Sequence, residues 1–87
     1  MADVPHPSKI LYRRNKALDA LYIAVARDMW IGVKDGVIDS ASRYRAVEEA
    51  ERRYAAWILA CQSDKPPVMR TPVEVAMSNL YAIDYSG

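Results

Sequence analysis

No proline interrupts the chain from Lys9 to about Val33, and apolar side chains recur along this stretch at helical spacing. Intervals of three, four and seven residues place them on one face of a helix. The residues of this stripe are Leu11, Leu18, Leu21 or Tyr22, Val25 and Met29. Pro5 and Pro7 mark an extended leader, and the hydroxyl of Ser8 suits a helix N-cap. We predict a leader over residues 1–8 and a first helix over residues 9–33.

A second helix is predicted over residues 41–62. Gly32 and Gly36 weaken the first helix, and Lys-Asp-Gly is typical of a turn. The short Val37-Ile38 is either an extended pair or a hydrophobic staple, and Asp39 or Ser40 caps the helix. Glu48–Arg52 and Glu49–Arg53 have the favourable i,i+4 order. The apolar seam comprises Tyr44, Val47, Tyr54, Ile58 and Cys61, with Ala50 and Trp57 alongside.

A third, shorter helix is predicted over residues 72–82. A loop from Ser63 to Arg70 contains Pro66-Pro67, and Thr71-Pro72-Val73-Glu74 then combines a capping box with proline at the first helical position. Val73, Met77 and Leu80 or Tyr81 face inwards. The sequence therefore predicts one all-α domain over residues 1–87, a helical hairpin of two long helices plus a shorter third.

The core of a chain of 87 residues is small, and the sequence offers neither a disulfide nor a metal site to stabilise it. One cysteine permits no internal disulfide, and one histidine far from it leaves no zinc-type ligand set. The run Tyr22–Ala26 is apolar all round, so it is expected to be buried on more than one side. Self-association is the remaining common way to stabilise a small core, and we predict a homo-oligomer.

The net charge and the hydropathy pattern argue against two classes of partner, duplex nucleic acid and membranes. The net charge of +1 disfavours binding to duplex nucleic acid, which needs a strong basic face. The longest strongly apolar run, Ala20–Ala26, is too short to span a bilayer, and the first residues do not have the pattern of a secretory signal. Together with the single cysteine, these features predict a cytoplasmic protein that does not bind membranes.

No arrangement of residues typical of an active site is present, so we predict that the chain is not an enzyme. The only histidine, His6, lies in the proline-flanked leader, where solvation is expected. Cys61 occupies a seam position and suits a small buried apolar residue. Glu48 and Glu49 are adjacent on a helix and point apart. No phosphate loop or metal motif occurs, and neither a cofactor nor a metal is predicted.

The basic and aromatic start of the first helix is the first candidate binding site. Tyr12 and Arg13 lie there with Arg14 and Lys16, and Arg27 follows four turns after Tyr12, about 22 Å away. In two antiparallel copies, Tyr12 of one would lie beside Arg27 of the other. An aromatic face and a guanidinium suit the base and phosphate of a nucleotide. Alternatively, Tyr12 is a boundary aromatic and the cations only keep the surface soluble.

Arg70 and Thr71 form a second candidate anion site, because a helix N-terminus presents free N–H groups. Pro72 removes one of these donors and Glu74 is expected to fill the cap. A structural role for Arg70 and Thr71 is the favoured interpretation.

Tyr12-Arg13, Arg27 and Arg43-Tyr44-Arg45-Ala46-Val47 together resemble the pattern of the helical-hairpin sponge proteins with which phages sequester cyclic oligonucleotide signals of CBASS defence. The resemblance covers about residues 10–60. The segment between the helices is shorter here, the second helix lacks the family's Gly and Thr pattern, and the third helix has no counterpart in it.

The resemblance implies a homo-oligomer, a hexamer, that binds cyclic di- or trinucleotides at subunit interfaces without cleaving them, in the host cytoplasm if it is phage-encoded. The competing hypothesis is a small phage or bacterial helical protein that binds and inhibits a host protein. A helix-turn-helix regulator fits less well, because neither long helix combines a recognition face with strong basic charge.

Overall fold

A computed structural model describes residues 7–34, 37–63 and 67–85. Three helices carry about two thirds of the chain, which confirms the all-helical prediction. They are α1 (Pro7–Asp28), α2 (Ser40–Cys61) and α3 (Pro72–Tyr85), and two short strands, β1 (Val33–Lys34) and β2 (Val37–Ile38), lie between α1 and α2. Residues 1–6 of the predicted leader, Asp35-Gly36 of the predicted turn and residues 64–66 of the predicted loop lie outside the described residues.

Helix α1 begins at Pro7, two residues before the predicted start. Ser8 therefore belongs to the first turn and does not precede it as an N-cap. Proline is favoured at the first helical positions, because the first backbone N–H groups of a helix have no partner within the helix. The chain uses Pro7 to begin the helix where we had expected the leader to end.

Helix α1 ends at Asp28, five residues before the predicted end at Val33. The backbone N–H of Trp30 donates to Arg27 O over 3.1 Å, and the N–H of Ile31 donates to Ala26 O over 3.0 Å. These two bonds form a Schellman motif, in which the residue just past the helix adopts the left-handed conformation and is usually glycine. That residue here is Trp30, with φ of 59°. Because position 30 is not a glycine, the usual sign of a helix end is absent there.

The segment after this turn folds back as a short antiparallel pair. Val33 lies opposite Ile38 and Lys34 lies opposite Val37, so the Val37-Ile38 pair is extended. Gly32, with φ of +55°, accepts the Asp39 N–H at its carbonyl over 2.9 Å. A Cβ at Gly32 would overlap the side chains of Ser42 and Asp39. Glycine is therefore required both by the backbone conformation and by the close approach of α2.

Helix α2 begins with an ordered cap. The Asp39 carboxylate accepts from the Ser42 N–H over 2.9 Å and from the Ser42 hydroxyl over 3.0 Å. These bonds favour the ionised form and lower the pKa of Asp39. Of the two predicted caps, Asp39 is the one used.

The antiparallel partner of α1 is α3, not α2 as the sequence suggested. Arg14 of α1 binds Asp84 near the end of α3, and residues near the end of α1 line a hollow with Pro72 at the start of α3. Helix α2 instead lies against α1 with its chain running in the same general direction. Arg43 of α2 binds Asp19 of α1, and Arg53, ten positions later on α2, binds Asp28, nine positions later on α1. The order of the contacts is therefore the same along both helices.

An antiparallel pair of helices would reverse that order. The hairpin of β1 and β2 explains the difference, because both strands contact α1 and the chain starts α2 beside α1. The prediction of a hairpin between the first two helices is therefore wrong in its choice of partner.

The core lies where the second half of α1 passes between α2 and α3. Leu21, Val25 and Ala26 are buried, and Tyr22, Ile23 and Ala24 are partly buried. The apolar run is covered on more than one side, as predicted, but by elements of the same chain. The buried cluster from all three helices comprises Leu21, Val25, Ala50, Trp57, Val73, Ala76, Met77 and Leu80.

The inward face of α2 differs from the predicted seam. Its buried residues are Ala46, Ala50 and Trp57, whereas Tyr44 is 81% exposed. The small side chains of Ala46 and Ala50 allow α2 to lie close to the rest of the fold, and the start of the predicted seam faces solvent. Similarly, Leu11 of the first stripe is exposed.

The predicted charge pairs on α2 are formed in part. Arg53 binds Glu49 as expected, but Arg52 also binds Glu49, at 2.7 Å. Glu49 is thus shared between two arginines, and Arg52 takes the i,i+3 partner instead of the predicted Glu48.

Candidate binding surface

Tyr12, Arg13 and Lys16 lie exposed on the first half of α1. The Lys16 Nζ is 5.0 Å from the centroid of the Tyr12 ring. A hydrogen bond with the Tyr12 hydroxyl raises the pKa of Lys16. Tyr12 therefore already has a cation over its ring, supplied by its own helix.

Arg14, from the same basic segment, has a structural role. Its Nε donates to Asp84 Oδ1 over 2.7 Å, and the Tyr54 hydroxyl donates to Asp84 Oδ2 over 2.8 Å. This Arg14–Asp84–Tyr54 cluster joins all three helices. The hydrogen bond to Asp84 raises the pKa of Arg14, while burial and the Asp84 carboxylate raise that of Tyr54. The contacts of Asp84 in this cluster also account for the continuation of α3 to Tyr85, three residues beyond the predicted end.

A groove runs between the second half of α1 and the first half of α3, and we call it the α1–α3 groove. It consists of two open hollows of about 560 and 480 Å³ that meet at Ala20, Ala24 and Pro72. Arg27 lines the first hollow and Arg70 the second. The remaining lining residues are Ile23, Asp28 and Val73 in the first hollow and Met69, Thr71, Val75, Ala76 and Asn79 in the second.

The groove has a positive character. Asp28 is the one carboxylate among its lining residues, and it binds Arg53 at 2.7 Å. Within the described ranges, neither Arg27 nor Arg70 forms an ion pair. Two guanidinium groups therefore face solvent without a neutralising partner.

Thr71 caps α3, as its position in the capping box predicts. Its Oγ1 accepts from the Glu74 N–H over 3.2 Å, and its carbonyl accepts from the Val75 N–H over 3.0 Å. The hydroxyl oxygen thus satisfies one of the free N–H groups that an anion would otherwise use.

Arg27 also lines a third hollow, of about 380 Å³. This hollow is formed by the end of α1 and the turn after it, and Trp30 is part of its wall. The Trp30 side chain is 94% exposed. We call Arg27, Trp30 and Ile31 the Trp30 turn.

Of the predicted site residues, the structure brings Arg27, Arg70 and Thr71 to one groove and leaves Tyr12, Arg13 and Lys16 on another part of α1. Trp30 was not among the predicted residues. The helical pattern gives no signal for its exposure, because Trp30 lies off the stripe of Val25 and Met29 but four positions after Ala26, which is buried.

Other kinds of site can be addressed only for the described part of the chain. There, no helix has both the length and the apolar character to cross a membrane, and no three His, Cys, Asp or Glu side chains are grouped as metal ligands. Cys61 is partly buried and packs against the core. His6 lies outside the described residues. Comparison with protein-family models, curated proteins and solved structures finds no match for this chain.

Proposed function

We propose that this chain is a non-catalytic binding protein that docks on another protein through the Trp30 turn. The observation that carries the proposal is the position of Trp30, which is 94% exposed and has a left-handed backbone. This is one of the two competing functions that the sequence suggested, and we assign it to the Trp30 turn.

Stability does not account for a tryptophan at this position. A non-glycine residue in the left-handed region costs about 1–2 kcal/mol, and a bulky one is a genuine outlier. The side chain buries almost no surface in return. Backbone strain of this kind at an exposed residue is a reason to examine the residue for function.

An interface would gain most from the same side chain. Tryptophan and arginine are enriched among the residues that dominate binding energy, and Arg27 lies beside Trp30 around one hollow. Burying a tryptophan removes about 150–250 Å² from water, worth roughly 4–6 kcal/mol before the entropic cost of association. The turn also fixes the backbone of Trp30 with two hydrogen bonds, so little backbone order is lost on binding.

Sequestration of a cyclic di- or trinucleotide is the second candidate. The guanidinium of Arg27 favours it, because it has no ion-pair partner within residues 7–34, 37–63 and 67–85 and lines both the hollow of Trp30 and the α1–α3 groove. Trp30 would then replace Tyr12 as the stacking residue, and Arg27 and Arg70 would bind phosphates. The hollows are open, whereas ligand pockets bury most of the ligand. A second copy of the chain would have to enclose the nucleotide, which retains the prediction of a homo-oligomer.

Trp30→Gly is the decisive variant, because it has opposite effects on folding and binding. Glycine relieves the left-handed backbone, so the free energy of unfolding is expected to rise by about 1 kcal/mol. Binding is expected to weaken at least a hundredfold, since about 2.7 kcal/mol or more of contact is lost. The measurements are urea unfolding followed by circular dichroism, and affinity capture from cells of the source organism followed by calorimetric titration of the purified partner.

Tyr44→Ala is the matched control, because Tyr44 is also an exposed aromatic residue but lies near the start of α2. It should leave the affinity unchanged. A partner that binds Trp30→Gly as tightly as the wild type would show that the docking site is elsewhere.

Thermal melting with cyclic di- and trinucleotides separates the two candidates. A nucleotide-binding protein gains about 2.7 kcal/mol of stability at a hundredfold excess over the dissociation constant, and Arg27→Ala should abolish the gain. We expect no gain for a protein-docking chain. Stabilisation by a nucleotide that depends on Arg27 would overturn the docking proposal and establish the second candidate.

A further inference from the structure

The α1–α3 groove lies next to the Trp30 turn and shares Arg27 with it. Apolar and cationic groups are combined along the groove. Met69 is 57% exposed and Val75 is 44% exposed, and each hollow has one arginine without an ion-pair partner in the described residues. From this combination we infer that the groove accepts an acidic amphipathic helix of the partner protein, with its apolar face on Met69 and Val75 and its carboxylates on Arg27 and Arg70.

The charge of the occupant follows from the lining residues. Asp28, the carboxylate of the groove, is neutralised by Arg53, so a carboxylate from outside meets two arginines and no free acid. Guanidinium groups bind carboxylates through two parallel hydrogen bonds. A basic occupant would place like charges together at both arginines.

The helical form of the occupant follows from the walls. The walls are α1 and α3, with the segment Met69–Thr71 at one end, and none of these lining residues belongs to a strand, so the groove presents no strand edge to pair with a peptide backbone. The N–H and C=O groups of a docked segment must be satisfied by the segment itself, which a helix achieves. A helix laid in a groove with its apolar side down is a recurrent mode of peptide recognition.

The inference rests on the proposed docking function, and it names the chemistry of the docked segment. The two are separable because they use different residues. Trp30 belongs to the hollow beyond Arg27, whereas Arg70, Met69 and Val75 belong to the groove alone.

The test uses synthetic peptides as probes with the whole chain. Isolated helices shorter than about 12–15 residues are marginal, so each probe has roughly 18 residues. One carries leucines on one helical face with glutamates beside them, a second carries lysines in place of the glutamates, and a third is a scrambled glutamate peptide. Binding is followed by calorimetry and by the backbone amide resonances of the ¹⁵N-labelled protein.

We expect the glutamate helix to bind more tightly than the other two probes, with the largest amide shifts at Ala20, Ala24 and Val75. Arg70→Glu should weaken its binding at least tenfold. The double variant with Arg27→Glu and Arg70→Glu should reverse the preference towards the lysine helix. Arg45→Glu, an exposed arginine of α2 outside the groove, should leave the affinity unchanged.

Equal binding of the acidic and basic helices, or no amide shift at the groove with any probe, would overturn the inference. So would shifts at these amides that depend on protein concentration alone, since they would show that a second copy fills the groove. If the probes fail while the binding of the captured partner still depends on Trp30, the proposed function stands and only this inference falls.

Discussion

At the scale of single residues, Trp30 and Gly32 together fill the roles that a single glycine after a helix usually fills. One role is to end the helix, and the other is to turn the chain where there is no room for a side chain. Both residues have positive φ, but Trp30 ends the helix and Gly32 allows the chain to approach α2. The sequence shows that Gly32 weakens the helix, yet it cannot show that a tryptophan two residues earlier takes the left-handed conformation. The end of α1 was therefore predicted too late, and the exposed residue that we consider most important for function was missed.

Gly32→Ala is predicted to destabilise the fold. An alanine with the left-handed backbone of position 32 costs about 1–2 kcal/mol. Its Cβ would also displace the Asp39 side chain that caps α2, which costs about 1 kcal/mol more. Urea unfolding should therefore show a loss of roughly 2–3 kcal/mol. Trp30→Ala serves as the control, because it keeps a non-glycine residue in the same type of backbone and should change stability little. An alanine variant at position 32 with wild-type stability would contradict the packing of α2 against this glycine.

At the scale of secondary-structure elements, the sequence predicts which segments are helical better than it predicts which helices pair. Periodicity gives the buried residues of α3 and of the second half of α1 but not the inward face of α2, and the caps at Asp39 and Thr71 mark two starts well. The partner of α1 depends instead on where the short β hairpin redirects the chain, and apolar periodicity carries no information about that. For this reason the buried run Tyr22–Ala26 was recognised, while its cover by α3 was not.

The Arg14–Asp84–Tyr54 cluster is predicted to hold the end of α3 in place. Asp84→Asn would leave an amide group facing two donors, and we expect a loss of about 1–2 kcal/mol, reduced from the value for a buried charge because Arg14 is partly exposed. The pKa of Tyr54 should fall towards its ordinary value, because the carboxylate that disfavours its ionisation is gone. Urea unfolding and ultraviolet titration of the tyrosines measure the two effects.

Asp19→Asn provides the comparison, since it removes one partner of an exposed ion pair with Arg43. Such pairs contribute about 0–1 kcal/mol. If Asp84→Asn were no more damaging than Asp19→Asn, the cluster would be an ordinary surface pair.

At the scale of the whole molecule, substituting two valines by glutamate separates effects on folding from effects on self-association. Val25 is fully buried, and Val25→Glu would place an unpaired charge in the core. Several kcal/mol is a large part of the stability of a small domain, so this variant should be unfolded by circular dichroism. Val75→Glu introduces the same charge at an exposed position of the groove, so this variant should fold normally.

Light scattering of the wild type and Val75→Glu after size exclusion tests the predicted homo-oligomer. A wild-type mass of at least two chains that stays unchanged in Val75→Glu would support a homo-oligomer formed outside the groove, whereas a fall to one chain would place the contact between copies at the groove and overturn the inferred partner helix. A folded Val25→Glu would contradict the position of the core.

The pairing of α1 with α3 has a consequence for how the chain is made. The Arg14–Asp84 contact joins positions 70 residues apart, and four residues of the buried cluster belong to α3, which follows α1 and α2 in the chain. Synthesis proceeds at about 5–20 residues per second from the N-terminus, so α1 and α2 emerge seconds before the helix that completes their core. During that interval the faces of Leu21 and Val25 that α3 will cover are open to water and to other nascent chains. The core can close only after α3 has been synthesised.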